Sequence, residues 1–430
     1  MTKKRLAVCL LGALLVCSLT GCVFENSVEE MFTLPQAPME YSGLMEELTQ
    51  LTGEGYEYLA PATGASTQSV QMVDLNGDGT EEAVAFFRRS SDEKPLKIFV
   101  FQNVEGGYEM LCTIASSGSS IESVYYEDLT GDGKAELIVG WKISNDVQTL
   151  AAYSVGREYI SLLNSPYVRF SLQDIDGDGL ANLLILRSDN RQGSLCECYQ
   201  WSNDALSVTS RASLSSTAAE INRGTVVSGQ LEGQEEALFV SGVSEELMAS
   251  TDILVYRSTI GLINITSDDR TGQTSLTYPY QQLPPQDING DGVTELPSPV
   301  VDNVLHPNMV AWFSYQSSGR CHQVEETYHS QLQGWYFSMP RSWWGRASAS
   351  SEELSENESQ TVISVDGREA VAIYVLSGDH REELSGQEGR FLISRQTAIN
   401  YAGKILNADV AKITPDELRH SMYLPGNAWG

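Results

Sequence analysis

The sequence predicts a mainly β chain: a β-propeller of about five or more blades followed by a small α+β domain. Three observations lead there. An acidic, glycine-containing motif recurs at near-constant spacing: DLNGDGTEE from Asp74, DLTGDGKAE from Asp128, DIDGDGLAN from Asp174 and DINGDGVTE from Asp287. Each copy is followed by a β-type apolar run, AVAFF from Ala83, LIVGW from Leu137 and LLIL from Leu183 among them. Further strand-like pieces fill each interval, such as KIFVF from Lys97 and TLAAYSV from Thr149. Several short strands per repeat of this length are the signature of a propeller blade.

In chain order, the first element is a secretory signal. Lys3, Lys4 and Arg5 precede an apolar stretch from Leu6 to Leu19, which ends in Leu19-Thr20-Gly21-Cys22. A basic head, a short apolar core and small residues before a cut define such a segment. The core falls well short of the ~20 residues that a spanning helix needs. Leu-Thr-Gly-Cys resembles the lipobox of bacterial lipoproteins, which implies cleavage after residue 21, a diacylglyceryl group on Cys22 and an extracytoplasmic, membrane-tethered protein. The expected organisation is a signal peptide over 1–21, a lipidated tether with a short helix over 22–54, the propeller over 55–333 and the α+β domain over 334–430. Within the tether region, YSGLMEELTQLT at 41–52 carries Leu44, Leu48 and Leu51 at helical spacing, with Ser42 as a candidate cap.

The formal charge of the full chain is −30. Loss of residues 1–21 removes three basic residues and no acidic one, leaving −33. Such a protein repels nucleic acid and anionic surfaces and attracts cations. Apart from the lipidated Cys22, the mature chain holds Cys112, Cys196, Cys198 and Cys321. The alternation of a strand puts Cys196 and Cys198 on one face. No further ligands follow at zinc-finger spacing, so these read as core or edge thiols.

The gap between the third and last motif is close to two periods. A shrunken copy, QLEGQEEALF from Gln230, sits near its middle without the aspartates. In the intact copies, oxygen side chains occupy positions one, three and five, a glycine occupies position six, and position seven offers its carbonyl. That is the ligand rhythm of a calcium loop, because Ca²⁺ takes six to eight oxygens in a flexible shell. The candidate ligand sets are Asp74, Asn76, Asp78, Thr80 and Glu82; Asp128, Thr130, Asp132, Lys134 and Glu136; Asp174, Asp176, Asp178, Leu180 and Asn182; and Asp287, Asn289, Asp291, Val293 and Glu295. An EF-hand would need Glu at position twelve and flanking helices. Position twelve is instead Ala85, Val139, Ile185 and Ser298, and the following runs are β-type.

Strand–loop–strand units with an acid at position nine resemble the FG-GAP or VCBS repeats of integrin α-type propellers, over residues ~55–335. The resemblance implies structural Ca²⁺ that braces the blades. Thr130 at position three and Asn182 at position nine depart from the pattern, so the copies at Asp74 and Asp287 are expected to bind best. From Gly334 the texture changes. Phe337-x-x-Pro340-x-x-Trp343 faintly resembles the opening of the PsbP-like fold, and Thr414 before Pro415 marks a terminal helix. The alternative is a sixth, decayed blade around Val365. Trp335, Trp343 and Trp344 are candidates for a sugar-stacking platform.

None of the histidines, His306, His322, His329, His380 and His420, lies in H-E-x-x-H, and neither a G-x-S-x-G elbow nor a phosphate loop occurs. The expected function is therefore a binding or scaffold module, not an enzyme, for a protein or cell-envelope partner. A surface carbohydrate-binding or carbohydrate-active protein and a purely structural envelope component are the alternatives.

Overall fold

The computed structural model describes residues 41–424, apart from 106, 146, 190–192, 269 and 301–307. The signal peptide, Cys22 and the tether up to residue 40 lie outside the described residues.

The helix spans Ser42–Gly53, and Leu44, Leu48 and Leu51 are all buried. They pack on Phe87, Phe99, Phe101 and Tyr108 of the first sheet. The N-cap is Tyr41 rather than Ser42, and no side-chain cap bond forms. Burial of the leucine stripe therefore holds this helix, as it does most helices in proteins.

Five antiparallel sheets follow, each with four strands in sequence order. The first contains Val70–Val73, Glu82–Arg88, Leu96–Val104 and Gly107–Ser116, and the second Ser120–Glu127, Glu136–Lys142, Gln148–Val155 and Tyr159–Pro166. The third comprises Arg169–Gln173, Asn182–Asp189, Gly193–Ser202 and Ala205–Ser213. Thr225–Leu231, Glu235–Val243, Met248–Arg257 and Gly261–Asn264 form the fourth. Leu296–Pro299, Met309–Tyr315, Cys321–Ser330 and Trp335–Ser338 form the fifth. Short strands extend four of these sheets; Thr63–Gly64, for example, pairs in parallel with Ser123 and Val124.

The unbroken apolar runs have a physical cause. Successive residues of a strand point to opposite faces, so a strand packed on both sides must be apolar throughout. Leu137, Val139 and Trp141 join the core shared with the first sheet, whereas Ile138 joins the core shared with the third. Leu183 and Ile185 face the second sheet, and Leu184 and Leu186 face the fourth. Ala237 and Phe239 face the fifth sheet, and Leu238 and Val240 the third. The second, third and fourth sheets are thus each sandwiched between their sequence neighbours. Among the described residues, no core cluster joins the first sheet to the fifth or sixth. What the structure establishes is a mainly β chain of antiparallel sheets packed in series.

The sixth sheet departs from the meander: Ile399–Ile405 lies between Arg368–Ser377 and Phe391–Arg395. The sheet carries the short helices Arg381–Ser385, Ala408–Ala411 and Pro415–His420. Thr414 caps the last of these through a capping box with Glu417. The sequence break at 334 does not fall between sheets, because Trp335–Ser338 is the fourth strand of the fifth sheet. Met422–Tyr423 returns to pair with it. Trp335 and Trp343 lie in the core between the fifth and sixth sheets, each 1% exposed, and so offer no stacking face. Cys196 and Cys198 are buried and unbridged in the core between the third and fourth sheets.

Candidate metal centres

All four intact motifs adopt one loop; the first three lie between the first and second strands of a sheet, and the last precedes Leu296–Pro299, closed by the isolated Gln286–Glu295 bridge. Val73 pairs with Glu82, Glu127 with Glu136, Gln173 with Asn182 and Gln286 with Glu295, so each loop begins and ends at equivalent places. Position one folds the loop. Asp74 accepts from the amides of Gly77 and Gly79, both at 2.8 Å. Asp128 does the same for Gly131 at 2.7 Å and Gly133 at 2.9 Å. Asp174 holds Gly177 at 2.7 Å and Gly179 at 2.9 Å, and Asp287 holds Gly290 at 2.7 Å and Gly292 at 2.8 Å. These glycines all have positive φ, which asks for a residue without a Cβ.

Position five closes a second turn. The amides of Thr80, Lys134, Leu180 and Val293 donate to Asp78, Asp132, Asp178 and Asp291 at 2.8, 3.0, 2.9 and 2.8 Å. Position nine points back into the loop. Its oxygen accepts from the amide of position two: Leu75 to Glu82 at 3.0 Å, Leu129 to Glu136 at 2.9 Å, Ile175 to Asn182 at 3.0 Å and Ile288 to Glu295 at 3.1 Å. All four side chains are buried. The sequence pattern treats Asn182 as a defect, yet its carbonyl oxygen makes the same bond as the glutamates. Burial, reinforced by the nearby aspartates, raises the Glu82 carboxyl and pushes Glu136 and Glu295 up to about 7.

The loops differ in what remains for a cation. The Asp174, Asp176 and Asp178 carboxylates converge, with one oxygen of each within 4.8 Å of the others. Gln200 donates to Asp176 Oδ2, while Asp176 Oδ1 is buried without a partner. Thr130 Oγ1 and Glu295 Oε1 are likewise buried and unpartnered. In the first loop Asn76 donates to Glu82 at 2.8 Å, so those two expected ligands satisfy each other. In the second loop the Lys134 ammonium sits 3.6 Å from Asp132. In the last, Asn289 donates to Asp291 at 3.0 Å. A convergence of three carboxylates is found in the third loop, whereas the copies at Asp74 and Asp287 carry asparagine at position three. Each donor set is of hard oxygens, and the second, third and last loops each leave one of them buried without a partner, which fits a calcium-type ion.

The loops also touch one another. A Cβ on Gly77 would lie 2.3 Å from the Gly133 carbonyl oxygen, and one on Gly131 would lie 3.0 Å from the Leu180 side chain. The shrunken copy is a tight turn in which Leu231 pairs with Glu235. There Ser314 Oγ donates to Glu232 at 2.7 Å and Gln316 Nε2 at 2.8 Å, and His322 Nδ1 lies at 2.9 Å. The role of position nine, the loop-to-loop contacts and the Gln200 donor leave no mark in the motif itself.

No family model matches the chain. No curated protein matches it either. Among solved structures it is similar to a functionally unknown protein from Desulfotomaculum acetoxidans DSM 771, at 13% identity over 72% of this chain and 84% of that one, with a TM-score of 0.33. Saccharomyces cerevisiae Sqt1 is similar at 9% identity over 72% of this chain and 97% of that one, with a TM-score of 0.25. Neither likeness is strong enough to carry a function. Among the described residues no helix is long and apolar enough to cross a membrane.

Proposed function

We propose that the successive sheets are propeller-type blades braced by calcium. In this reading the chain is an extracytoplasmic lipoprotein, tethered through Cys22, whose blades serve as a binding or scaffold module for a protein or cell-envelope partner. The observation that carries the brace is the set of buried, unpartnered oxygens at expected ligand positions: Thr130 Oγ1, Asp176 Oδ1 and Glu295 Oε1. An orphaned buried oxygen costs about 1–3 kcal/mol, and a bound cation would recover that cost. The strongly negative charge adds long-range attraction for the same ligand. The lipid tether rests on the Leu19-Thr20-Gly21-Cys22 sequence. Of the three tryptophans of the carbohydrate alternative, Trp335 and Trp343 are buried and Trp344 is half-buried with Arg341 over its ring, which favours the scaffold reading.

The deciding experiment is a thermal melt of the full chain in calcium and in EGTA, paired with calcium titration by calorimetry. A calcium-dependent rise in melting temperature with saturable binding is expected. An unchanged melt across a wide calcium range would remove the brace. Cross-linking on intact cells, with a Cys22→Ala variant as control, then tests both tether and partner.

A further inference from the structure

A cleft of about 690 Å³ lies between the first strands of the second and third sheets. Glu122, Ser123, Tyr125, Tyr167, Arg169 and Phe170 are among the residues that line it. Four features single it out. The pairing of Ser120–Glu127 with Glu136–Lys142 slips between Ile121 and Ser123, leaving Glu122 as the extra residue of a bulge. Bulges re-aim side chains and gather beside binding sites. Ser123 is 4% exposed, and its Oγ faces the Tyr167 hydroxyl without reaching good hydrogen-bond geometry, so an acceptor or donor site remains there. The space for both hydroxyls exists because residue 140 is glycine: a Cβ there would lie 2.5 Å from Tyr167 Oη and 2.6 Å from Ser123 Oγ. Finally, Tyr125 and Tyr167 each pack edge-to-face on Phe170 at 5.5 Å, giving the cleft an aromatic wall.

The charges in the cleft favour one ligand class. Glu122 and Glu127 supply carboxylates, and Arg169, the one basic residue of the lining, donates to the Asn222 carbonyl at 2.9 Å. Aromatic faces beside carboxylates attract organic cations through the ring quadrupole and direct charge together. We propose that this cleft binds a small organic ammonium ion, its cationic head between Glu122 and the aromatic wall and a hydroxyl reaching Ser123 Oγ. The site uses none of the candidate calcium ligands, so it stands or falls separately from the brace.

Choline carries both groups and is the probe. It is titrated calorimetrically into the full chain at fixed calcium, with glucose as the neutral polyol and acetate as the anion. One saturable choline site is expected at about 1 mM or tighter, with no comparable glucose or acetate binding. Glu122→Gln should weaken it at least tenfold, and Ser123→Ala severalfold, with calcium binding unchanged in both. Absence of choline binding, equal glucose binding, or an unaltered affinity in Glu122→Gln overturns the proposal. If Glu122→Gln lowers the melting temperature, Ser123→Ala decides, and a change below about twofold there overturns it as well.

Discussion

Replacing Asp176 by Ala should stabilise the protein in chelator and destabilise it in calcium. Asp176 lies between Asp174 and Asp178, with oxygens of all three within 4.8 Å. At that distance each like-charge pair costs roughly 1 kcal/mol even at the dielectric of water. Burial and both neighbours raise the Asp176 carboxyl above its usual range, the same unfavourable environment seen from the proton's side. Removing it relieves about 2 kcal/mol of repulsion and forfeits about 1 kcal/mol for the Gln200 hydrogen bond. The net gain without metal is about 1 kcal/mol. With calcium at about one hundred times its dissociation constant, the wild type gains about 2.7 kcal/mol from binding. An extracellular-type site of about 10⁻⁴ M reaches that ratio near 10 mM calcium. A variant that has lost a central ligand gains little, so it should be less stable than wild type by about 2 kcal/mol in calcium. Urea unfolding of both proteins in EGTA and in calcium gives the four values needed. Equal destabilisation in both buffers would show that Asp176 serves the loop fold rather than an ion, and the convergence argument would fail.

Three other outcomes test the packing and the loops. Glu197 is buried, which alone would raise its carboxyl, but Arg187 at 2.8 Å and Arg211 at 2.7 Å hold it down to about 2. The depressed value means its stabilisation is complete above about pH 4.5 and vanishes as pH falls through about 2; Glu197→Gln should cost about 2–3 kcal/mol at pH 7, discounted for the exposed Arg211, and almost nothing near pH 2, by denaturation at each pH. Gly77→Ala should destabilise more than Gly79→Ala in thermal melts. Both pay about 1 kcal/mol for a positive φ, but only the first drives a methyl into the Gly133 carbonyl. Asn182→Ala should cost about 1–3 kcal/mol in EGTA by orphaning the Ile175 amide, whereas Asn182→Asp keeps that bond and should tighten calcium binding in a titration.

Local elements were legible because each has a local cause. The leucine stripe at 44, 48 and 51 has one face to bury, and the runs at Ala83 and Leu183 have two, so periodicity names them directly. The loops were legible because Asp-x-x-Gly-Asp-Gly states both the capping carboxylate and the glycines it caps. Closure into a ring was not, since it depends on contacts between the most distant parts of the chain, and among the described residues the cores join only neighbours. The boundary near 334 was misplaced for a related reason. The aromatics of GWYF look like a new domain's core, and Trp335 does sit against the sixth sheet, yet Trp335–Ser338 hydrogen-bonds to the fifth. The structural part of Asn182 was not legible, because a ligand pattern asks what charge a residue carries, while the fold of the loop asks only for an acceptor.

If calcium braces the intact loops as proposed, the decayed fourth copy should mark a junction that does not need it. Where the loops are intact, neighbouring sheets meet at the loop through backbone contacts such as Gly77 with Gly133. Where the aspartates are gone, Glu232 takes hydrogen bonds from Ser314 and Gln316 and faces His322, all on the fifth sheet or its adjoining turn. On the proposed reading, side-chain bonding at this junction would take the part of an ion. Chelation should therefore loosen the molecule unevenly. Amide hydrogen exchange of Leu75, Leu129 and Ile175, which donate to position nine in the intact loops, should accelerate in EGTA. The Glu232 amide, bonded to the Tyr315 carbonyl at 3.0 Å, should keep its protection. Uniform acceleration at all four amides would mean that chelation unfolds the array as a whole, and that the decayed junction is no less dependent on the ion than the others.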